Sequence, residues 1–71
     1  MENNMAAEDV LMTPEDVTAW TGLSTGALAQ LRYKGTGPKF VKPTPRTVLY
    51  FRSHVLMWLE QSVCTQTGER V

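Results

Sequence analysis

Residues 13–33 read TPEDVTAWTGLSTGALAQLRY, and they carry the start and stop signals of two short helices. Thr13 can cap the first helix through its hydroxyl, and Pro14 loses no hydrogen bond at the first helical position. Two acids follow, which the positive end of a helix favours. Gly22 can adopt the left-handed conformation that ends a helix, and Leu23 can then anchor the turn in the core. These signals predict a first helix between Thr13 and Gly22.

A second helix is predicted from residue 25 to about residue 33, with Ser24 as its N-cap. Leu28 and Leu31 share the side that packs against the first helix. The opposite side, called the polar face below, carries Thr25, Gly26, Ala29, Gln30 and Tyr33. Because only two or three residues separate the helices, the chain must turn sharply, as in a DNA-binding helix-turn-helix. Other helix pairs that meet at a corner share this spacing.

The second half of the chain predicts a β-hairpin and a third helix. Residues 39–42 and 47–50 are short extended runs, and proline cannot donate to a ladder, so Pro43 and Pro45 are both placed in the connection. Ser53 is the predicted cap of a helix that runs to about residue 61, with a core side formed by Val55, Trp58 and Leu59. Residues 10–12 are apolar and can pair as a strand or pack as a staple. The predicted fold class is mainly α with a small β-hairpin: a winged helix-turn-helix of three helices and a two-stranded wing.

The length of 71 residues suits one small domain with a marginal core. We assign residues 1–9 to a flexible acidic N-terminal segment, residues 10–62 to the folded domain and residues 63–71 to a flexible C-terminal tail. Cys64 has no cysteine partner, and with one histidine it cannot complete a zinc site. No leader or membrane span is evident. We therefore expect a cytoplasmic protein.

Formal net charge is zero, but the charges are segregated along the chain. The first sixteen residues carry only acids: Glu2, Glu8, Asp9, Glu15 and Asp16. The charged side chains of residues 32–54 are all basic: Arg32, Lys34, Lys39, Lys42, Arg46 and Arg52. A basic stripe confined to one half of a domain is typical of a surface that contacts phosphates. Both runs are also compatible with ordinary solvated faces.

Enzymatic chemistry finds little support in this sequence. His54 is the only histidine, and Cys64 lies in the tail without an activating cluster. Residues 35–38 follow a helix and lead into a strand, which is the reverse of the order in a phosphate-binding glycine loop. We predict no enzyme activity and no cofactor.

DNA recognition needs only a few short or flexible polar residues near the start of a helix. Gln30 can pair with an adenine edge, Thr25 can offer its hydroxyl or methyl, and Gly26 allows close approach. The tip of the hairpin can enter a minor groove, where arginine is favoured, so Arg46 is the first candidate there. The complete set of candidate DNA-binding residues is Ser24, Thr25, Gly26, Gln30, Arg32, Tyr33, Lys34, Lys39, Lys42, Arg46 and Arg52. Each can also be an ordinary helix-entry or surface residue.

The apolar residues leave a second interpretation open. Trp20 and Trp58 sit at core spacing and are predicted to be buried. The remaining large apolar side chains are predicted to point outward: Leu49, Phe51, Leu56 and Met57. So many exposed apolar residues on a small domain are compatible with a protein-interaction module that does not bind DNA.

Several short motifs resemble, in their order, those of phage excisionases and MerR-like winged helices. They are LMTPEDV at 11–17, GLS at 22–24, Leu28, LR at 31–32, GTGPKFVK at 35–42, Arg46, VLY at 48–50, RS at 52–53, Val55 and WL at 58–59. The resemblance covers about residues 11–61. It departs from the family pattern where Thr18 replaces a small apolar residue, Leu49 and Phe51 replace basic residues, and His54 replaces an aspartate.

The resemblance implies that the second helix enters the major groove and the wing the adjacent minor groove of double-stranded DNA. It also implies that several copies bind side by side and bend attachment-site DNA, so that a tyrosine integrase performs excision instead of integration. The acidic first half and the basic second half suggest that neighbouring copies associate head to tail. A phage or host transcription regulator with the same fold is the alternative role.

Overall fold

The computed structural model of the chain describes residues 9–65, and these form a mixed α/β fold. In chain order the elements are β1 (Leu11–Met12), α1 (Pro14–Thr21), α2 (Thr25–Lys34), β2 (Val41–Thr44), β3 (Thr47–Phe51) and α3 (Arg52–Glu60). The three predicted helices are confirmed. The segments expected to be flexible at 1–8 and 66–71 lie outside the described residues.

Helix α1 has the ends that its sequence predicts. The Asp16 amide donates to the Thr13 hydroxyl at 3.0 Å, and the Thr13 amide donates to the Asp16 carboxylate at 3.0 Å. This reciprocal capping box satisfies two amides that the helix cannot. Gly22 ends the helix with φ at 85°, a left-handed value that glycine adopts without strain.

Helix α2 begins and ends where local signals predict. The Ser24 hydroxyl accepts from the Ala27 amide at 3.0 Å, and Gly35 ends the helix with φ at 72°. Residues 22–24 alone connect it to α1, which confirms the short connection predicted between the two helices. A Cβ at Gly37 would lie 2.7 Å from the Leu31 Cβ, so the segment that leaves α2 packs against the helix as only glycine allows.

The sheet has three antiparallel strands in the order β1-β3-β2. The prediction of a two-stranded wing therefore accounts for only two of the three strands. Leu11 pairs with Phe51 and Met12 with Tyr50. Of the two possibilities for the apolar residues 10–12, the strand is therefore the one that forms. The placement of Pro43 in the connection was wrong. It lies inside β2, which begins at Val41 instead of residue 39. Because β2 is an edge strand with an irregular register, a residue without an N–H is tolerated there.

Helix α3 follows β3 directly, and the prediction that Ser53 caps it was wrong. Phe51 occupies the cap position without a side-chain hydrogen bond. Ser53 lies inside the first turn, where its amide donates to the Asp9 carboxylate at 3.1 Å and its hydroxyl donates to the same group. Asp9, assigned from sequence to the flexible segment, thus satisfies a free amide of a distant helix.

The core takes one fully buried side chain from each helix and one from β3: Val17, Leu28, Tyr50 and Val55. Four partly buried side chains pack around them: Met12, Leu23, Val48 and Leu59. Each helix and strand β3 therefore has one side covered, whereas all four residues of β2 are exposed. None of the helices among the described residues has the length and apolarity that a bilayer crossing needs.

Several apolar side chains lie elsewhere than predicted. Trp20 is 38% exposed, because it packs under the Arg52 guanidinium, 5.2 Å from its ring centre, and not inside the core. Trp58 is half-buried and donates to the Thr36 carbonyl at 3.0 Å. Leu49 and Phe51 are half-buried instead of pointing outward. Phe51 pairs with Leu11 of β1, the strand that was one of the two possibilities for residues 10–12.

Candidate nucleic-acid interface

The polar face of α2 is open along its length, as predicted. Thr25, Gly26, Ala29, Gln30 and Tyr33 are all exposed, and Tyr33 is 89% exposed. A Cβ added at Gly26 would meet only the Ser24 hydroxyl oxygen, at 3.8 Å. Packing within the chain therefore does not require a glycine at this position. Its absent side chain lowers the surface near the start of the polar face.

The tip of the hairpin is closed by threonine side chains. The Thr44 hydroxyl donates to the Thr47 hydroxyl at 2.7 Å and accepts from the Arg46 amide at 3.3 Å. Arg46 itself is exposed at the turn, and Lys42 is exposed on β2. The backbone that presents Arg46 is thus held while its side chain stays accessible.

Arg32 is more than the surface cation that the sequence suggests. It is half-buried, and its Nη1 donates to the Tyr50 hydroxyl at 2.7 Å. Its guanidinium carbon also lies 5.9 Å from the centre of the Phe40 ring. Tyr50 is fully buried, and a buried tyrosine hydroxyl needs a hydrogen-bond partner. Arg32 supplies that partner and so joins α2 to β3.

Arg32 and Arg46 are brought together. Both line one shallow hollow, called the arginine hollow below, together with Thr13, Pro14, Glu15, Thr47, Val48 and Leu49. Ala29, on the polar face, lies one helical turn from Arg32. The tip of the hairpin therefore shares a hollow with a residue that lies one turn from the polar face. Glu15 adds an acid to this otherwise basic hollow.

Arg52 does not line the arginine hollow. It stacks over Trp20, whereas Glu15 borders the arginine hollow. Trp20 and Glu15 are five positions apart on α1, which separates them by about 140° around the helix. Arg52 and Arg46 therefore lie on different flanks of α1. The remaining candidates, Ser24, Lys34, Lys39 and Lys42, are exposed.

Sequence reasoning missed the partners that hold the charged residues. Tyr50 and Phe40 were not expected to position Arg32, nor Glu15 to border the hollow. One signal existed for Tyr50, because the alternation that turns Leu49 and Phe51 outward turns Tyr50 inward, and an inward tyrosine needs a partner. Nothing in the local sequence identifies which residue that partner is.

One carboxyl among the described residues has a shifted pKa. The hydrogen bond from the Ser53 hydroxyl lowers the pKa of Asp9, and the amides of Ser53 and Val10 and the nearby His54 act in the same direction. These donors stabilise the ionised form. Within residues 9–65, no group of three or more His, Cys, Asp and Glu side chains is placed to hold a metal ion. Cys64 is exposed with a free thiol.

Comparison of the chain with protein-family models, with curated proteins and with solved structures gave no match.

Proposed function

We propose that this chain is a winged helix-turn-helix protein that binds double-stranded DNA, with α2 in the major groove and the β2–β3 hairpin, the wing, in the adjacent minor groove. The observation that carries this proposal is the arginine hollow. Arg46 at the wing tip and Arg32 of α2 both line it, and Arg32 lies one helical turn from Ala29 of the polar face. A helix and a wing arranged side by side can straddle a single DNA strand.

The polar face has the chemistry for base recognition. Gln30 is exposed and can form a paired contact with an adenine edge, worth about 1–3 kcal/mol of discrimination. Thr25 precedes it by little more than one turn and can contact a neighbouring base. Gly26 lies between them and permits close approach. Two such contacts give modest specificity to one molecule.

Phosphate contacts supply the remaining affinity in this proposal. Tyr33 and Lys34 are exposed near the end of α2, Lys39 is exposed just before the wing, and Lys42 is exposed on its first strand. Such contacts fix the register on DNA without reading its sequence. Arg52 is left out of this interface because it lies on the other flank of α1 and stacks over Trp20.

We propose the biological role of an excisionase-like architectural protein without enzyme activity, acting with a tyrosine integrase in the cytoplasm of a bacterial host. Bending 20–30 base pairs by 40–90° costs on the order of 1–6 kcal/mol, more than one weak module readily supplies. Several copies bound head to tail, with the acidic residues of one copy near the basic residues of the next, would share that cost. Footprinting distinguishes this role from transcription regulation: protection beside an integrase gene supports the first, and protection at a promoter the second.

The test is fluorescence anisotropy of a labelled duplex against salt concentration. Binding should weaken steeply with salt, and Arg46→Gln should weaken it more than the charge-matched control Arg52→Gln. Selection of sites from a randomised duplex pool should show that Gln30→Ala relaxes preference at particular bases. A chain that ignores duplex DNA in dilute buffer would refute the proposal.

The rival protein-interaction module finds less support in the geometry. Leu49 borders the arginine hollow, whereas Met57 lines a separate hollow with His54 and Trp58. Leu49 and Phe51 are half-buried, so only Leu56 and Met57 of the four residues that this interpretation needs are exposed.

A further inference from the structure

Arg32 presents a guanidinium whose position is already fixed. One of its N–H groups is bound to the Tyr50 hydroxyl, and its plane is near the Phe40 ring. A guanidinium carries several further donors in a rigid fork. An anion that meets this side chain therefore finds it ordered, with less rotamer freedom left to lose.

The second cation of the arginine hollow comes from another element and is held differently. Arg46 is exposed, but its backbone amide is bound to the Thr44 hydroxyl. The hollow thus combines one fixed and one adjustable guanidinium. Glu15 is the one acid among its lining residues, so two positive charges face one negative charge and an anion can be accommodated.

A phosphate is the anion that the proposed docking mode brings to this place. The major groove and the adjacent minor groove of a duplex are separated by one sugar-phosphate strand. If α2 enters one groove and the wing the other, that strand must cross between Arg32 and Arg46. Paired guanidinium donors match phosphate oxygens in geometry and charge.

We propose that the arginine hollow holds a single backbone phosphate of duplex DNA, bound jointly by Arg32 and Arg46, with Tyr50 as the positioning residue for Arg32. This inference rests on the proposed DNA-binding function and adds its central phosphate contact. Arg52, stacked on Trp20 away from the hollow, takes no part.

The first test observes the arginine side-chain Nε–H signals of the ¹⁵N-labelled full chain by NMR during titration with a short duplex. The Arg32 and Arg46 signals should shift together, while the Arg52 signal stays in place as the internal control. An Arg46 shift without an Arg32 shift would overturn the joint site and leave DNA binding standing. Absence of any binding would instead refute the proposed function together with this site. A parallel titration with inorganic phosphate at matched ionic strength should need far higher concentrations, and equal potency would indicate a free-anion site instead.

The second test counts phosphates from the salt dependence of affinity. Each neutralised phosphate contributes about 0.9 to the slope of log affinity against log salt. If both arginines bind one phosphate, the double variant Arg32→Gln/Arg46→Gln should lose about 0.9 in total. A loss of about twice that value would show two independent contacts and overturn the proposal.

Tyr50→Phe is the control for a folding defect in the Arg32 variant, because it keeps both charges and removes only the positioning hydrogen bond. It should weaken DNA binding in the parent chain and have a smaller effect when Arg46 is already Gln. Equal effects in both backgrounds would contradict joint binding. Glu15→Gln should tighten binding about two- to fivefold by removing the competing acid, and weaker binding would argue against an anion in the hollow.

Discussion

The Nη1 of Arg32 donates a 2.7 Å hydrogen bond to the hydroxyl of Tyr50, and this bond joins α2 to the central strand β3. The two residues are 18 positions apart in sequence. Tyr50 is fully buried, whereas Arg32 is half-buried. Loss of the guanidinium and loss of the hydroxyl therefore have different physical consequences.

We expect Arg32→Met to destabilise the domain more than Tyr50→Phe. The first change leaves a buried hydroxyl without its partner, at a cost of about 1–3 kcal/mol, whereas the second leaves a guanidinium that water can reach and costs about 1 kcal/mol. Urea denaturation followed by fluorescence of Trp20 and Trp58 measures both values. The opposite order would show that the hydroxyl has another way to be satisfied.

Thr18→Val should stabilise the protein by about 1 kcal/mol. The Thr18 hydroxyl oxygen is buried and has no hydrogen-bond partner, so its removal relieves a desolvation cost. Thr21→Val is the matched control on the same helix. The Thr21 hydroxyl donates to the Val17 carbonyl at 2.8 Å and accepts from the Leu23 amide, so its loss should destabilise. Thermal melting that shows the same sign for both variants would contradict this account.

Gly26→Ala should move stability and DNA affinity in opposite directions. The added methyl group has room within the chain, and replacement of glycine in a helix stabilises by about 0.5–1 kcal/mol. The same methyl group would stand on the polar face and hinder approach to bases. Gly35→Ala is the contrasting control, because φ there is 72° and alanine is strained. Tighter DNA binding by the Gly26 variant would remove this residue from the interface.

Asp9→Asn should lower stability at neutral pH, and the difference should vanish in acid. The folded state lowers the pKa of Asp9, so the ionised carboxylate stabilises the fold at neutral pH. That contribution is lost as the pH falls below about 4 and through the lowered pKa. Denaturation of both proteins across this range is the measurement. Glu60→Gln, which removes one exposed acid from the last turn of α3, controls for the change in net charge. A difference that persists at the lowest pH would contradict the carboxylate's role.

The helices could be predicted because their signals are local. The Thr13 and Ser24 hydroxyls bind amides three residues away, and Gly22 and Gly35 end their helices through their own backbone conformations. Propensity and capping act within one turn, so these residues specify α1, α2 and the corner between them without the rest of the chain. The exposure of the polar face follows from the spacing of Leu28 and Leu31 on the other side.

Contacts between distant residues were set by packing of the whole chain. Asp9 meets Ser53 across 44 positions, and Leu11 pairs with Phe51 to add a strand to the sheet. Arg32 finds Tyr50 in the same way, and the arginine hollow forms only where Arg32, the start of α1 and the wing tip come together. Local preferences do not encode which buried hydroxyl, free amide or strand edge a side chain will meet, because those encounters depend on how the elements close around Val17, Leu28 and Val55.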